Sequence, residues 1–165
     1  MRNSRTRATA ADADRAYALI QECSDWLRQQ GISQWSPPYP RQRFDHEVAA
    51  GEVWFWSSTS GVDATVTLLA TRPDYYPADV WPEPTNAWYI CRFAVARRLR
   101  GAQLGPRILA ELESDARLAG VTALRLDVSA DNPFLTEYYT AQGFQIAHHS
   151  EMLGNESIFL QRVLG

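Results

Sequence analysis

The chain has 165 residues, a net charge of −3 at pH 7, and 16 basic residues that are all arginine. This length suits one compact domain, and the acidic balance excludes the overall basic surface that nucleic-acid binding requires. The absence of lysine excludes a Walker phosphate loop, which needs one. No apolar run reaches the roughly 20 residues of a membrane span, so we expect a cytoplasmic protein with no nucleic-acid or membrane partner.

Both cysteines lie in apolar patterns, Cys23 in a helical pattern and Cys91 in a strand. Free cysteine in such surroundings behaves as a small buried hydrophobe, so we predict neither a disulfide nor a thiolate metal site. His148 and His149 are adjacent and would face opposite sides of a strand, which disfavours a shared metal ion.

The first third of the chain predicts a short extended piece and two helices. The first helix begins after Asp12 or Asp14 and ends near Gly31, because apolar residues between these points are spaced by three or four. The residues of this apolar stripe are Ala16, Ile20, Cys23 and Leu27. A proline-rich connection follows, and the second, short helix ends at Gly51.

The middle of the chain predicts three strands. Two runs rich in β-branched and aromatic residues, 52–58 and 62–71, are separated by Gly61 and predict an antiparallel hairpin. In the second run apolar residues alternate with Thr65 and Thr67, so we expect the threonines on the opposite face. After a long loop with four prolines, the run AWYICRFAV predicts a strand buried on both faces.

The second half predicts alternating helices and strands. An apolar stripe from Leu104 predicts a helix that ends at Gly120, and strict apolar alternation predicts the strand TALRLDVS. Asn132 and the proline after it predict the cap of a short helix that ends at Gly143, before two closing strands. The order β, α, α, β, β, β, α, β, α, β, β indicates a mixed, mostly antiparallel α/β sheet with one right-handed β-α-β crossover.

The segment RRLRGAQLGPRIL, residues 97–109, places arginines and glycines directly before a helix. A helix N-terminus offers unpaired N–H groups that hold phosphate without lysine, glycine permits positive φ, and arginine pairs with phosphate oxygens. These residues are Arg97, Arg98, Arg100, Gly101, Gly105 and Arg107. Taken alone, the segment fits either a phosphate cradle or a chance arrangement in an arginine-rich chain.

Three segments together resemble the GNAT superfamily of acyl-coenzyme A dependent N-acyltransferases. They are FAV at 93–95, RGAQLG at 100–105 and NPFLTEYYTAQGF at 132–144. The resemblance implies a GNAT-like fold with splayed central strands and a single N-acyltransferase domain over residues 1–165. It also implies transfer of an acetyl group from acetyl-coenzyme A to the primary amine of a small molecule, without a metal.

The resemblance further implies which residues bind coenzyme A. They are Phe93, Ala94, Val95, Arg100, Gly101, Ala102, Gln103, Leu104, Gly105 and Asn132. Gln103 stands where the family has a glycine. If φ is positive there, glutamine costs roughly 1–2 kcal/mol of strain; if φ is negative, the side-chain amide can donate to phosphate.

The chemistry implied by the resemblance is direct attack of the free amine on the thioester in a ternary complex, so Cys91 has no catalytic task. A backbone N–H within 93–95 would stabilise the oxyanion, and Tyr139 would protonate the leaving thiolate. Tyr138 points elsewhere on the helix, and packing is the alternative role of both tyrosines. The general base stays open among four carboxylates: Glu52, Asp79, Glu83 and Asp127.

The resemblance places Trp26 and Tyr39 around the implied acceptor pocket, together with four further aromatic residues and one carboxylate that are the candidates for substrate binding. Those candidates are Trp35, Tyr75, Tyr76, Trp81 and Glu83. Carboxylates among aromatic rings suit a cation, although a solvated loop that covers the sheet is the alternative. Competing functions are a non-catalytic acyl-coenzyme A sensor, an acetyltransferase for a protein or peptide amine, and an interaction domain. A homodimer is a candidate assembly.

Overall fold

The structure is a computed structural model that describes residues 3–81 and 86–165. Its helices and strands are β1 (Ser4–Arg7), α1 (Ala13–Gln29), α2 (Arg41–Ala49), β2 (Val53–Ser58), β3 (Gly61–Leu69), β4 (Ala87–Val95), α3 (Leu104–Leu118), β5 (Ala123–Ser129), α4 (Pro133–Ala141), β6 (Gln145–Met152) and β7 (Asn155–Val163). The predicted order of elements and the mixed α/β class are confirmed. The strands are hydrogen bonded in the order β1-β2-β3-β4-β5-β7-β6, with β4 and β5 parallel.

The chain divides into two compact units. The first comprises Met1–Leu68 and Cys91–Leu104, and the second comprises Leu69–Ile90 and Gly105–Gly165. The single domain over residues 1–165 stays a prediction. Within the two described ranges, we find no helix that has both the length and the apolar character needed to cross a membrane.

In the first unit, α1 buries the predicted apolar stripe. Ala16, Ile20, Cys23 and Leu27 all lie in the protein interior. The helix ends as predicted, because Gly31 adopts φ +76° and Ile32 N–H donates to the Leu27 carbonyl at 3.0 Å. Burial raises the pKa of the Cys23 thiol to about 11, as expected for a packed cysteine that is not reactive.

The hairpin of β2 and β3 forms with the predicted turn, and the middle of β3 is buried on both faces. Thr65 and Thr67 are buried together with Ala64 and Val66. Burial of Thr65 is tolerated because its hydroxyl donates to the Trp54 carbonyl at 3.1 Å. The alternation of apolar residues and threonines therefore does not correspond to one buried and one exposed face.

A buried carboxylate connects β3 to the segment that follows β4. The Asp63 side chain is fully buried and accepts hydrogen bonds from Arg98 Nη2 at 2.5 Å, from Ser58 Oγ at 3.0 Å, and from the Asn3 side chain. Its backbone carbonyl accepts a bond from Ala96 N–H at 2.8 Å. A carboxylate with this many donors is stable in the interior because its charge is compensated.

In the second unit, β5 lies between a parallel and an antiparallel neighbour. The parallel pairs run from Ala87 with Ala123 to Tyr89 with Arg125, and β7 pairs antiparallel with β5 along its whole length. The expected strict alternation of β5 is wrong at Arg125, which is only 2% exposed. Its guanidinium donates to Tyr89 Oη at 3.3 Å and to the side chain of Gln161 at 3.2 Å, so polar side chains of the neighbouring strands stabilise the buried charge.

Helix α4 begins and ends where the sequence predicts. Asn132 occupies the N-cap and Pro133 the first turn. The expected side-chain cap is wrong, because the Asn132 side chain makes no capping hydrogen bond; its carbonyl instead accepts a bond from Leu135 N–H at 3.1 Å. The helix ends before Gly143, whose φ of +92° favours glycine.

Replacing the buried carboxylate should destabilise the first unit. We expect Asp63→Asn to lower the free energy of unfolding by about 1–3 kcal/mol, because an amide replaces the charge that accepts three donors. The matched control is Asp25→Asn, which removes an exposed ion pair with Arg28 and should change stability by at most about 0.5 kcal/mol. Urea unfolding of both variants measures the difference, and equal effects would contradict the prediction.

Candidate functional site

The loop before α3 has the backbone that a phosphate cradle needs. Gly101 adopts φ +82° and Gln103 adopts φ +60°, and residues 100–103 are exposed ahead of the helix that begins at Leu104. Of the two alternatives for Gln103, the structure therefore has the one in which φ is positive. Glutamine adopts the conformation that glycine takes without strain, and its side chain points to solvent.

The four arginines of this segment have different surroundings. Arg97 stacks its guanidinium over the Trp26 ring, 3.6 Å from the centroid, and Arg98 pairs with buried Asp63. Arg100 and Arg107 are exposed. Arg97 and Arg98 thus hold the start of the loop against the first unit, while Arg100 and Arg107 present their charge to solvent.

The end of β4 is shaped by a residue that sequence reasoning missed. Arg92 adopts φ +47° directly before the predicted oxyanion segment, Phe93–Val95. Its buried guanidinium forms an ion pair with Glu47 of α2 and lies 3.7 Å from the centroid of the Tyr39 ring. Burial, the largest cause, raises the pKa of Tyr39 to about 12, so this phenol stays protonated beside the ion pair.

The two predicted functional residues of α4 are both buried in the second unit. Asn132 is 3% exposed and Tyr139 is 6% exposed. The Tyr139 ring packs edge-on against Phe144 and Tyr138, with centroids 5.6 and 5.2 Å away. Burial, together with the negative charge of Asp127, raises the pKa of Tyr139 well above its usual range, so its phenol holds a proton at neutral pH.

The predicted acceptor residues separate into two groups. Tyr75, Tyr76 and Trp81 form an aromatic cluster in the second unit, where Tyr76 contacts both rings at 5.3 and 6.1 Å. Trp35 belongs to the first unit, where it packs against the core and its carbonyl accepts a bond from Ser24 Oγ at 2.7 Å. The fifth candidate, Glu83, lies outside the described residues.

The candidate bases also differ in their surroundings. Asp127 is half-buried, and its Oδ1 accepts a hydrogen bond from Tyr76 Oη at 2.5 Å. Burial, the largest cause, and the charge of Glu47 raise the pKa of Glu52 in the first unit. Asp79 is exposed.

The features that sequence reasoning missed share one signal. Asp63, Arg92 and Arg125 are charged residues inside otherwise apolar strands, and each is buried. Because arginine and aspartate are almost never fully buried without a partner, a charge in the middle of such a strand predicts a compensating group. The identity of that group does not follow from the strand alone, because the partners of Asp63 and Arg92 lie 35 and 45 positions away.

Comparison with known proteins identifies the family of the chain. The family model described as "Acetyltransferase (GNAT) family" matches residues 20–144. The chain belongs to this family. It is 29% identical to the uncharacterized N-acetyltransferase YesJ of Bacillus subtilis (strain 168), over 84% of this chain and 79% of that protein.

Solved GNAT structures have the same fold. A GNAT-family acetyltransferase of Listeria monocytogenes is 23% identical, with a TM-score of 0.80 over 98% of this chain and 95% of that one. The PaiA N-acetyltransferase of Thermoplasma acidophilum, solved with coenzyme A, is 14% identical, with a TM-score of 0.74 over 99% of this chain and 100% of that one.

Membership in the GNAT family makes the protein an acyl-coenzyme A dependent acyltransferase with acetyl-coenzyme A as its acyl donor. The loop at 100–103 is exposed, and two of its residues, Gly101 and Gln103, have left-handed backbone directly before α3. Among the described residues there is no group of three or more metal-ligating side chains.

The strained glutamine gives a test of the loop. We expect Gln103→Gly to raise the free energy of unfolding by about 0.5–1 kcal/mol, because relief of the left-handed strain exceeds the added entropy of the unfolded chain. Affinity for acetyl-coenzyme A, measured by calorimetry, should be unchanged or higher. The control Gln21→Gly lies on the exposed face of α1 and should lower stability by about 1 kcal/mol. Weaker binding by the Gln103 variant would show that the amide itself contacts phosphate.

Proposed function

We propose that the protein transfers an acetyl group from acetyl-coenzyme A to the primary amine of a small cationic molecule, by direct attack in a ternary complex. The observation that carries the proposal is an aromatic cluster in which the rings of Tyr75 and Trp81 flank buried Tyr76, whose hydroxyl donates to the Asp127 carboxylate. Tyr75, Trp81 and Asp127 are each half-buried. Aromatic faces and a carboxylate together attract an ammonium group through charge and ring-face interactions.

The loop and the end of β4 supply the donor-binding part of the proposal. The backbone N–H groups of Gly101, Gln103, Leu104 and Gly105 hold the phosphates, while that of Ala102 donates to the Leu99 carbonyl at 3.0 Å; Arg100 adds a positive charge. A backbone N–H within Phe93–Val95 stabilises the oxyanion that develops on the thioester carbonyl. The bend at Arg92 supports this assignment, since it redirects the backbone immediately before that segment.

Tyr139 supplies the proton that the leaving thiolate needs. A group that donates a proton must hold it at the working pH, and burial keeps the phenol of Tyr139 protonated. Asn132 begins the same helix and is buried, which supports its place in the coenzyme-binding set. The single domain, the cytoplasmic location and the homodimer stay predictions.

A protein or peptide amine is the second acceptor class, and a non-catalytic sensor is the alternative from another class. The family relationship favours catalysis over a sensor. The small half-buried aromatic surface favours a compact amine over an extended peptide.

The role of Tyr139 is tested by removing one oxygen. We expect Tyr139→Phe to lower kcat roughly 10²-fold or more, because the thiolate then leaves without a proton donor. Tyr138→Phe is the matched control, and it should change kcat less than about threefold, since Tyr138 is only half-buried and lies beside the donor. Thiol release is measured for both variants. Equal and small losses would remove Tyr139 from the mechanism.

The acceptor class is tested by combining calorimetry with a panel of amines. We expect binding of acetyl-coenzyme A, and thiol release with small cationic primary amines but not with neutral or anionic acceptors of similar size. Acetylation only of peptide amines would favour the second acceptor class. Binding of acetyl-coenzyme A without thiol release for any amine would favour the sensor.

A further inference from the structure

We propose that Asp127 is the general base that takes a proton from the acceptor ammonium, and that Tyr76 is the positioning residue that orients its carboxylate. This inference rests on the proposed function, because it assigns the acceptor side of the same reaction. It selects one of the four carboxylates that the sequence leaves open, and it gives Tyr76 a role other than direct contact with the substrate.

The carboxylate of Asp127 is held in one orientation by its neighbours. Tyr76 Oη donates to Oδ1 at 2.5 Å, and Asp127 pairs in register with fully buried Phe159 of β7. Asp127 itself is half-buried rather than fully enclosed. A base must present a lone pair at a defined position, and the bond from Tyr76 supplies the fixed orientation.

Tyr76 is in turn fixed by packing and by its backbone. Its ring lies 5.3 Å from Phe159 and 6.2 Å from Tyr89, and it is 3% exposed. Its N–H donates to the Pro73 carbonyl at 3.1 Å, and its carbonyl accepts from Arg72 Nη1 at 2.9 Å. The hydroxyl therefore has little freedom to turn away from Asp127, which is the property expected of a positioning residue.

The charged and titratable groups around Asp127 come from several elements. They include Tyr76 of the loop, Tyr139 of α4 and, two residues earlier on the same face of β5, Arg125. Arg125 is engaged by Tyr89 and Gln161. The negative charge of Asp127 acts on Tyr139, where it adds to the effect of burial in raising the pKa of the phenol. Tyr139, the proposed acid, and Asp127, the proposed base, therefore lie in the same unit and interact electrostatically.

The other carboxylates lack this combination. Asp79 is exposed, and Glu83 lies outside the described residues. Glu52 has a raised pKa, which suits a base, but the groups that act on it are Glu47 and Arg92, and no tyrosine is among them. Glu52 therefore serves as the comparison residue in the experiment.

The proton transfer balances with the groups on hand. The N–H bond of the ammonium breaks and an O–H bond forms on Asp127, which leaves a neutral amine with a lone pair. That lone pair forms the C–N bond as the C–S bond breaks, and Tyr139 gives its proton to the departing sulfur. The nitrogen then loses a second proton, which reaches the Tyr139 phenolate through solvent and restores the phenol. Asp127 releases its own proton to water.

The decisive experiment compares acceptors that do and do not need a base. Asp127→Asn keeps an oxygen for Tyr76 to donate to, so the fold should survive, as circular dichroism would verify. With a saturating alkylamine we expect kcat to fall roughly 10²-fold or more, whereas loss of ammonium attraction alone would raise KM and leave kcat in place. With the O-alkylhydroxylamine of the same carbon skeleton, which is neutral at pH 7, the loss should be less than tenfold. Equal losses for both acceptors, or none, would overturn the inference.

The pH profile tests Tyr76 separately. A hydrogen bond to a carboxylate favours the charged form, so its removal in Tyr76→Phe should move the acidic limb of kcat/KM upward by roughly one pH unit. The control Tyr17→Phe, which removes a tyrosine hydrogen bond to the Tyr39 carbonyl in the first unit, should leave that limb in place. A uniform loss of rate with unchanged midpoints in Tyr76→Phe would mean a merely structural role and would overturn the assignment.

Two further results separate the inference from the proposed function. If Glu52→Gln, rather than Asp127→Asn, shows the acceptor-dependent loss, the base is Glu52 and the inference fails while the function stands. If the wild-type protein acetylates no amine at all, the proposed function fails and the inference fails with it. An acceptor-dependent loss confined to Asp127→Asn supports both.

Discussion

The conformation of β4 near its end depends on the buried guanidinium of Arg92. A non-glycine residue with φ +47° is strained by roughly 1–2 kcal/mol, and a buried charge without a partner costs several kcal/mol more. Both costs are tolerated because Glu47 pairs with the charge and Tyr39 covers one of its faces. Three separate pieces of chain, namely α2, the proline-rich connection and β4, are thereby held by one side chain.

The same principle recurs in the other central strands. Asp63 in β3 and Arg125 in β5 are each surrounded by donors or acceptors from neighbouring elements. Replacing an ion pair with apolar residues is often neutral in a protein core, so such groups are weak evidence for stability. Their consequence here is geometric, because each charge has partners only in one arrangement of the strands. Asp63, for example, holds Arg98, and Arg98 in turn begins the loop that precedes α3.

The sequence allowed the element order to be predicted because hydrophobic periodicity reports which residues face the interior. For a related reason, it did not show that Thr65, Thr67 and Arg125 of β3 and β5 are buried. Alternation distinguishes one apolar face from one polar face, and it cannot recognise a polar residue whose partner is contributed by a distant strand. Arg125 reads as a solvent-facing residue until Tyr89 and Gln161 are placed beside it. The family motifs predicted the position of Gln103 in the loop, whereas the sign of its φ is a property of the folded backbone.

A chain without lysine has a chemical consequence for an enzyme that acetylates amines. The lysine ε-amine is a nucleophile once deprotonated, and one placed near a bound thioester could compete with the acceptor. Arginine binds phosphate at least as well through its planar fork, and it remains charged at any pH the enzyme meets. All 16 basic side chains of this protein are arginine, so no side-chain amine of the chain itself can accept the acetyl group. The absence of lysine, whatever its origin in composition, therefore means that no lysine side chain of the protein competes with the bound substrate for the thioester.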